Sequence, residues 1–366
     1  MKTEAPSGRD DIPVILRPAD RLRGLTPYAA VAPSESIDLR LSGNEGAAPP
    51  AELLAEIHGA DELMRRYPNV DALEREVAER HGVSPGRVLV TAGADDALQR
   101  ACLATLDRSR ELILPVPTFE MLERYATLAG GRIIEVAWST GAYPTVAVMR
   151  EIRPTTAVMA VVTPNNPTGA VANAEDLRRL SLAAPGALLL VDLAYTEFAD
   201  VDLTPTALSL PNALVIRTLS KAWGLAGLRV GYAIGAPQVI RWLRCAGNPY
   251  PVSGLSAQLA ATWLKVGSAD RRAWIDRVRR ERSALAGLLR ELGANPLPSE
   301  ANFVLAEFQD AARVGAGLAR RGVGVRAFPA HPLLTNHLRI TCPGEPSAFA
   351  RLTDALRQIM TDQGES

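Results

Sequence analysis

Between Val88 and Ile216 the chain repeats one pattern: a short apolar run, a polar turn, then an amphipathic stretch. The apolar runs fall at Val88 to Thr91, Glu111 to Leu114, Arg132 to Val136, Ala157 to Thr163, Ala187 to Val191 and Ala213 to Ile216. Most lack polar alternation, so both faces of such strands must be covered. Ala94 to Leu106, Phe119 to Ala129 and Ala174 to Ala183 carry apolar positions at helical spacing. Buried strands separated by helices predict an α/β fold, a mainly parallel sheet with helices on both sides.

The flanks read differently. The segment before about Leu25 is rich in Pro, Asp and Arg and reads as an extended arm. Ala51 to Arg66 and Ala72 to Arg80 have helical periodicity, broken by Tyr67-Pro68-Asn69. After Pro251 comes a mostly helical stretch, Leu255 to Arg290. Strands at Asn302 to Ala306, Val323 to Phe328 and His337 to Thr341 follow, with helices at Ala311 to Arg320 and Pro346 to Gln363. The expected organisation is an arm over 1–40, a large domain over 41–262 and a smaller α+β domain over 263–366.

Composition narrows the function. Lys plus Arg and Asp plus Glu both number 40, so the formal net charge is zero and no nucleic-acid partner is expected. The charged first thirty residues do not read as a signal peptide, and no apolar run reaches the roughly twenty residues of a membrane span. Cys102, Cys245 and Cys342 form no CxxC pair, and reduced, buried thiols in a cytoplasmic protein are expected. His58, His81, His331 and His337 show no ligand spacing, so no metal site is expected. There is no GxxxxGK[ST] motif, no GxSxG motif and no glycine-rich dinucleotide turn after the first strand.

The chemistry concentrates in Thr218-Leu-Ser-Lys-Ala-Trp-Gly-Leu-Ala-Gly-Leu-Arg-Val-Gly231, between apolar runs at Ala213 to Ile216 and Leu228 to Ile234. Only three lysines occur, Lys2, Lys221 and Lys265, in a chain that otherwise uses arginine. A lysine amine can lose its proton on desolvation and attack a carbonyl, which a guanidinium cannot. Lys221 is therefore either an ordinary loop lysine or a Schiff-base lysine. Other strand ends add Ala92-Gly93-Ala94-Asp95-Asp96, whose free backbone N–H groups suit a phosphate, as those of any strand-to-helix turn do. Phe119 follows another strand and could equally be a core residue. Thr163-Pro-Asn-Asn-Pro-Thr-Gly169 is a rigid turn presenting amides. Asp192 ends an apolar run, where an acid needs a cationic partner, with Tyr195 three positions on.

Together these groups ask for a phosphate, a flat ring, a protonated ring nitrogen and an aldehyde, which is pyridoxal 5'-phosphate. Ala94, Asp95, Thr218, Ser220 and Arg229 would take the phosphate. Phe119 would stack on the ring and Asp192 pair with its nitrogen. Asn166 and Tyr195 would bond the phenolic oxygen, and Lys221 the aldehyde.

On Asn166-Pro-Thr-Gly169, Asp192-x-x-Tyr195, Ser220-Lys221 and Gly227-Leu-Arg-x-Gly231, the chain resembles the fold-type I (class I/II) pyridoxal-phosphate-dependent aminotransferases, most closely the histidinol-phosphate aminotransferase branch. Arg66-Tyr67-Pro68 and Leu338-Arg339-Ile340-Thr341 extend the match. The resemblance implies ping-pong transfer of an amino group between an anionic amine and a 2-oxo acid. It also implies a homodimer in which Tyr67 reaches the neighbouring subunit's cofactor. Arg339, Arg326, Tyr28 and the Asn44 loop would meet substrate. Two departures stand out: Asp192-Leu193-Ala194-Tyr195 where the family writes Asp-Glu-Ala-Tyr, and Asn44-Glu45-Gly46-Ala47 where it writes Asn-Glu-Asn-Pro. A decarboxylase or lyase on the same scaffold, or an aromatic or specialised amino donor, is the alternative.

Overall fold

The computed structural model describes residues 19–22, 25–27 and 36–361. The chain divides into a leading unit, Met1–Ala32, and a second unit, Pro33–Ser366. Of the first, the described part holds a 3-10 turn at Asp20–Leu22. Tyr28 lies outside the described residues.

The second unit begins with β1 (Leu39–Arg40), a 3-10 turn at Ala51–Glu56, α1 (Ala60–Arg65) and α2 (Asp71–Arg80). The expected single helix from Ala51 to Arg66 is thus two pieces. Gly59 separates them, at φ 63, a left-handed backbone that glycine adopts without a Cβ clash. Next come β2 (Val88–Thr91), α3 (Gly93–Thr105), β3 (Glu111–Val116), α4 (Glu120–Ala129), β4 (Arg132–Ala137), α5 (Thr145–Arg150), β5 (Thr156–Val162) and α6 (Ala174–Ala183). Then follow β6 (Leu188–Asp192), α7 (Thr204–Leu208), β7 (Ala213–Thr218), β8 (Gly231–Ile234) and α8 (Pro237–Cys245).

Strands β2 to β8 form one sheet in the order β2-β8-β7-β6-β5-β3-β4. The pairs from β4 through β7 are parallel, as the unalternating runs predict, whereas β8 is antiparallel to both β7 and β2. Strand β8 is also shorter at its start than the expected Leu228 to Ile234. Ala226–Leu228 is a 3-10 turn, and Arg229 takes φ 51 before the strand begins.

Both faces are buried. Met159, Val161, Leu189, Val191 and Val215 join the core on one side, and Val158, Ala160, Leu190, Leu214 and Ile216 that on the other. Each of the Val, Leu, Ile and Met side chains among them contributes about 1.5–3 kcal/mol on burial.

The stretch after Pro251 is two helices, α9 (Gly254–Val266) and α10 (Ser268–Glu291), meeting at Gly267. A Cβ at Gly267 would lie 2.5 Å from the Trp263 indole, so the join needs glycine. Strand β9 (Asn295–Pro296), β10 (Phe303–Glu307), α11 (Ala311–Arg320), β11 (Val323–Gly324), β12 (Arg326–Ala327), β13 (His337–Thr341) and α12 (Pro346–Thr361) complete the described chain. The small sheet runs β12-β13-β10-β9, all antiparallel, over a core that includes Phe303, Leu338 and Ile340 and is joined by Leu41, Tyr195, Phe198 and Ala222. Arg279 and Arg282 on α10 bond the Phe198 carbonyl, and Arg282 also that of Ala301, fastening this helix to the loop after β6.

Cys102 and Cys342 are buried as expected, and burial pushes the Cys102 thiol up to about 12. Cys245 departs from the expectation: it ends α8 in an exposed position. No described helix is long and apolar enough to cross a membrane, and the described residues contain no cluster of metal-ligating groups.

Candidate active site

The loops leaving β2, β3, β5, β6 and β7 all open on one edge of the large sheet, because these strands point the same way. Ligands of open α/β sheets gather at that edge.

Asp192 is the last residue of β6 and only 3% exposed. Its Oδ1 accepts the Ala194 N–H at 3.0 Å. Burial raises its pKa to about 7, the nearby Asp95 charge adding to the rise while Lys221 opposes it. No arginine, lysine or histidine among the described residues forms an ion pair with it. A carboxylate taken out of water without a counter-charge is unstable unless a cation is brought to it.

Around Lys221 three chain segments meet. Its Nζ donates to the Gly43 carbonyl at 2.8 Å and lies 5.9 Å from the centre of the Tyr195 ring. The Tyr195 hydroxyl accepts from Asn44 Nδ2 at 3.0 Å, and its ring stands edge-on to Phe303 at 5.4 Å.

A cradle for an anion lies beside them. Thr218 Oγ1 donates to Ser220 Oγ at 3.0 Å and accepts the Ser220 N–H at 3.1 Å. The Arg229 guanidinium reaches Ser220 Oγ at 3.5 Å and the Asp95 carboxylate at 2.9 Å. A Cβ at Gly93 would sit 2.7 Å from Arg229 Nη2, so the glycine lets the guanidinium approach the first turn of α3, where Ala94 and Asp95 lie. Free N–H groups, two hydroxyls and a guanidinium at one helix N-terminus are a phosphate site by their chemistry.

The Thr163–Gly169 loop contains cis bonds before Pro164 and Pro167. Asn165 is fully buried, donating to the Pro117 carbonyl and to Thr168 Oγ1, each at 2.9 Å, and accepting from Thr118 Oγ1 at 2.6 Å. It ties this loop to the one carrying Phe119, which caps α4 and packs partly buried against the core. Asn166 instead accepts from Arg339 through Oδ1, leaving its amide nitrogen without a protein acceptor among the described residues.

Arg339 is buried on β13, donates also to the Ser42 carbonyl and lies 5.3 Å from the Phe303 ring centre. Arg326 is its direct partner in the β12–β13 register. Like charges placed opposite each other repel, and the two diverge: Arg326 pairs with Glu120 at the start of α4, 3.3 Å away.

Sequence reasoning missed Glu120, Ser42 and Gly43 as site residues. Nothing local marks them, because each earns its place through contacts with distant segments. Two expected residues are placed differently from the expectation or outside the cluster. Asn44, expected to meet substrate, is 1% exposed with both ends of its amide engaged by protein groups. Tyr67 is 81% exposed and stacked on Tyr250 at 4.7 Å, outside the cluster formed by its own chain. Leu193, where the family writes glutamate, is fully buried in the core beneath the large sheet.

The residues present fit pyridoxal phosphate: a buried acid with no ion-pair partner among the described residues for the ring nitrogen, an anion cradle for the phosphate, and the Lys221 amine on the loop that follows Ser220 of that cradle. Fold and site together define a pyridoxal-phosphate-dependent transferase of fold type I. The chain belongs to the aminotransferases of class I and II, whose family model matches residues 36–356. It is 35% identical over 297 residues to a histidinol-phosphate aminotransferase of Caldanaerobacter subterraneus subsp. tengcongensis, covering 80% of this chain and 84% of that protein. To the histidinol-phosphate aminotransferase of Granulibacter bethesdensis it is 32% identical over 363 residues, covering 94% and 96%. Its fold matches that of histidinol-phosphate aminotransferase from Sinorhizobium meliloti, a structure in complex with pyridoxal 5'-phosphate, with a TM-score of 0.84 over 94% of this chain and 98% of that one at 22% identity. The protein is thus a pyridoxal-phosphate-dependent aminotransferase, acting on an amine and a 2-oxo acid.

Proposed function

We propose that the amino donor is a phosphorylated amine of the histidinol phosphate type. The observation that carries this is the direct pairing of Arg326 with Arg339 across β12 and β13, both reaching loops of the large sheet. Two arginines at paired strand positions could both turn to one dianion, whereas a single carboxylate needs only one of them. The histidinol-phosphate aminotransferases among the relatives support the same reading.

The remaining roles follow from placement. Pyridoxal phosphate, when bound, supplies an aldehyde that condenses with amines and a ring that withdraws electrons from the carbon bearing the nitrogen. Asp192 holds the ring nitrogen protonated. Arg229, Ser220, Thr218 and the backbone N–H groups of Ala94 and Asp95 hold the phosphate. Asn166 and Tyr195 would donate to the phenolic oxygen, and Phe119 would cover the ring. Lys221 Nζ would hold the cofactor's aldehyde end and, once freed, would act as the base that accepts the proton of the substrate's amine-bearing carbon. Arg339 and Arg326 would orient the substrate's anionic end.

The exposed Tyr67–Tyr250 stack supports a homodimer in which Tyr67 completes the neighbouring subunit's phosphate site. The separate seven-stranded and four-stranded sheets support a large domain over 41–262 and a small one over 263–366. The Glu120–Arg326 pair favours a second reading, an amino acid anchored by one carboxylate on Arg339, since Arg326 is then already neutralised. Steady-state turnover of histidinol phosphate with a 2-oxo acid, against a panel of amino acids, tests the proposal. A far higher kcat/KM for an unphosphorylated amino acid overturns the donor, and carbon dioxide release in place of amino transfer overturns the reaction.

A further inference from the structure

We propose that Asn44 is a positioning residue: it aims the hydroxyl of Tyr195 at the bound cofactor and ties that aim to the strand that carries Arg339. The inference rests on the reading above in which Tyr195 faces the cofactor's phenolic oxygen.

Asn44 is buried and held from three directions. Its Nδ2 donates to Tyr195 at 3.0 Å, its Oδ1 accepts from the Thr341 hydroxyl at 2.8 Å, and its backbone carbonyl accepts from Asn302 Nδ2 at 3.1 Å. Its backbone sits at φ 53, a conformation that Asn, Asp and Gly tolerate and most side chains do not.

The direction of the bonds carries the argument. Thr341 occupies the amide oxygen, so the amide nitrogen faces Tyr195 and the phenol oxygen acts as acceptor. The Tyr195 proton then has no protein acceptor among the described residues and is free to be donated to a ligand. An acceptor in place of the Asn44 nitrogen would draw that proton away from the cleft.

The same network reaches substrate. Thr341 follows Arg339 by two positions on β13, so their side chains share one face of the strand. The residues just before Asn44 complete the link: the Ser42 carbonyl receives Arg339 and the Gly43 carbonyl receives Lys221. Three consecutive residues thus touch the substrate arginine, the lysine and the tyrosine. A shift of β13 on substrate binding would be felt at Tyr195 through Asn44.

The test is a double-mutant cycle read by absorbance. Asn44→Gly keeps the left-handed backbone and removes the amide; Asn44→Asp keeps the acceptor towards Thr341 and replaces the donor towards Tyr195. A hydrogen bond to the phenolic oxygen disperses its negative charge and so weakens the hold of that oxygen on the proton at the lysine linkage. Loss of the bond raises the pH midpoint of the lysine-bound cofactor's absorbance. Asn44→Gly, Asn44→Asp and Tyr195→Phe are each expected to raise it by roughly half a unit to one unit. Adding either Asn44 change to Tyr195→Phe is expected to move it no further. Thr341→Val is expected to give a smaller shift that also vanishes in the Tyr195→Phe background, and it carries the test should the Asn44 variants fail to fold. Additive shifts, or a wild-type midpoint in folded variants, overturn the inference alone. A wild-type protein that forms no such band with pyridoxal phosphate overturns the underlying reading instead.

Discussion

Gly46 packs directly on the backbone of Lys221: a Cβ at Gly46 would lie 1.9 Å from the Lys221 carbonyl oxygen and 2.9 Å from the Gly224 nitrogen. The fit is reciprocal, since a Cβ at Gly224 would fall 1.8 Å from the Ala47 carbonyl oxygen. The family's asparagine at this position is therefore replaced by the one residue that lets the two loops close on each other. Gly46→Ala is expected to destabilise the protein by about 1–3 kcal/mol, as overpacking does, and to weaken cofactor capture by displacing Lys221. Chemical denaturation and a cofactor titration read the two effects. Unchanged stability and affinity would mean that the loops separate at no cost.

Asp192 gives a pH signature in the cofactor-free protein. Burial holds its folded-state pKa at about 7, above its ordinary value of roughly 4. Between those pH values the folded chain keeps a proton that the unfolded chain has lost, so the raised pKa lowers stability as pH climbs from 4 towards 7. The cost levels off above 7, at on the order of 4 kcal/mol. Asp192→Asn removes it. Without cofactor this variant is expected to melt higher than wild type at pH 8 and to lose that advantage towards pH 4. With cofactor its turnover falls, because the ring nitrogen loses its counter-charge. A melting difference independent of pH would contradict the account.

Glu120 is the test of substrate charge. Glu120→Gln frees Arg326 of its partner and removes a negative charge from the path of an anion. If the donor carries a phosphate, its KM is expected to fall severalfold, with inorganic phosphate inhibiting correspondingly better. The pair is partly exposed and contributes at most about 1 kcal/mol. Tighter binding of unphosphorylated amino acids alone would instead favour the single-carboxylate reading.

Much of this architecture was legible in the sequence, for reasons of scale. The runs from Val88 to Ile216 are apolar because both sheet faces are covered, and that pattern survives without knowledge of contacts. Asp192, Lys221 and Arg229 were legible because an acid, a lysine and an arginine beside apolar strands are chemically conspicuous. The reversal of β8 was not, since an apolar strand looks the same in either direction. Asn44 read as a substrate-side residue, and its buried bonds were not legible because its amide meets Tyr195 and Thr341, 151 and 297 positions away. Leu193 read as a lost polar group and is a core residue. Its side chain is covered on all sides, which a local substitution pattern does not reveal.

The central claim is that Lys221 Nζ moves the proton during amino transfer from a phosphorylated amine. The most direct measurement mixes the cofactor-loaded protein with histidinol phosphate and no 2-oxo acid, and follows the appearance of the amino form of the cofactor by its absorbance. The wild type is expected to convert stoichiometrically to the amino form of the cofactor. Lys221→Ala, loaded with the same cofactor, is expected to convert about 10⁴-fold more slowly. Conversion of Lys221→Ala at the wild-type rate, or none in the wild type, would contradict the account.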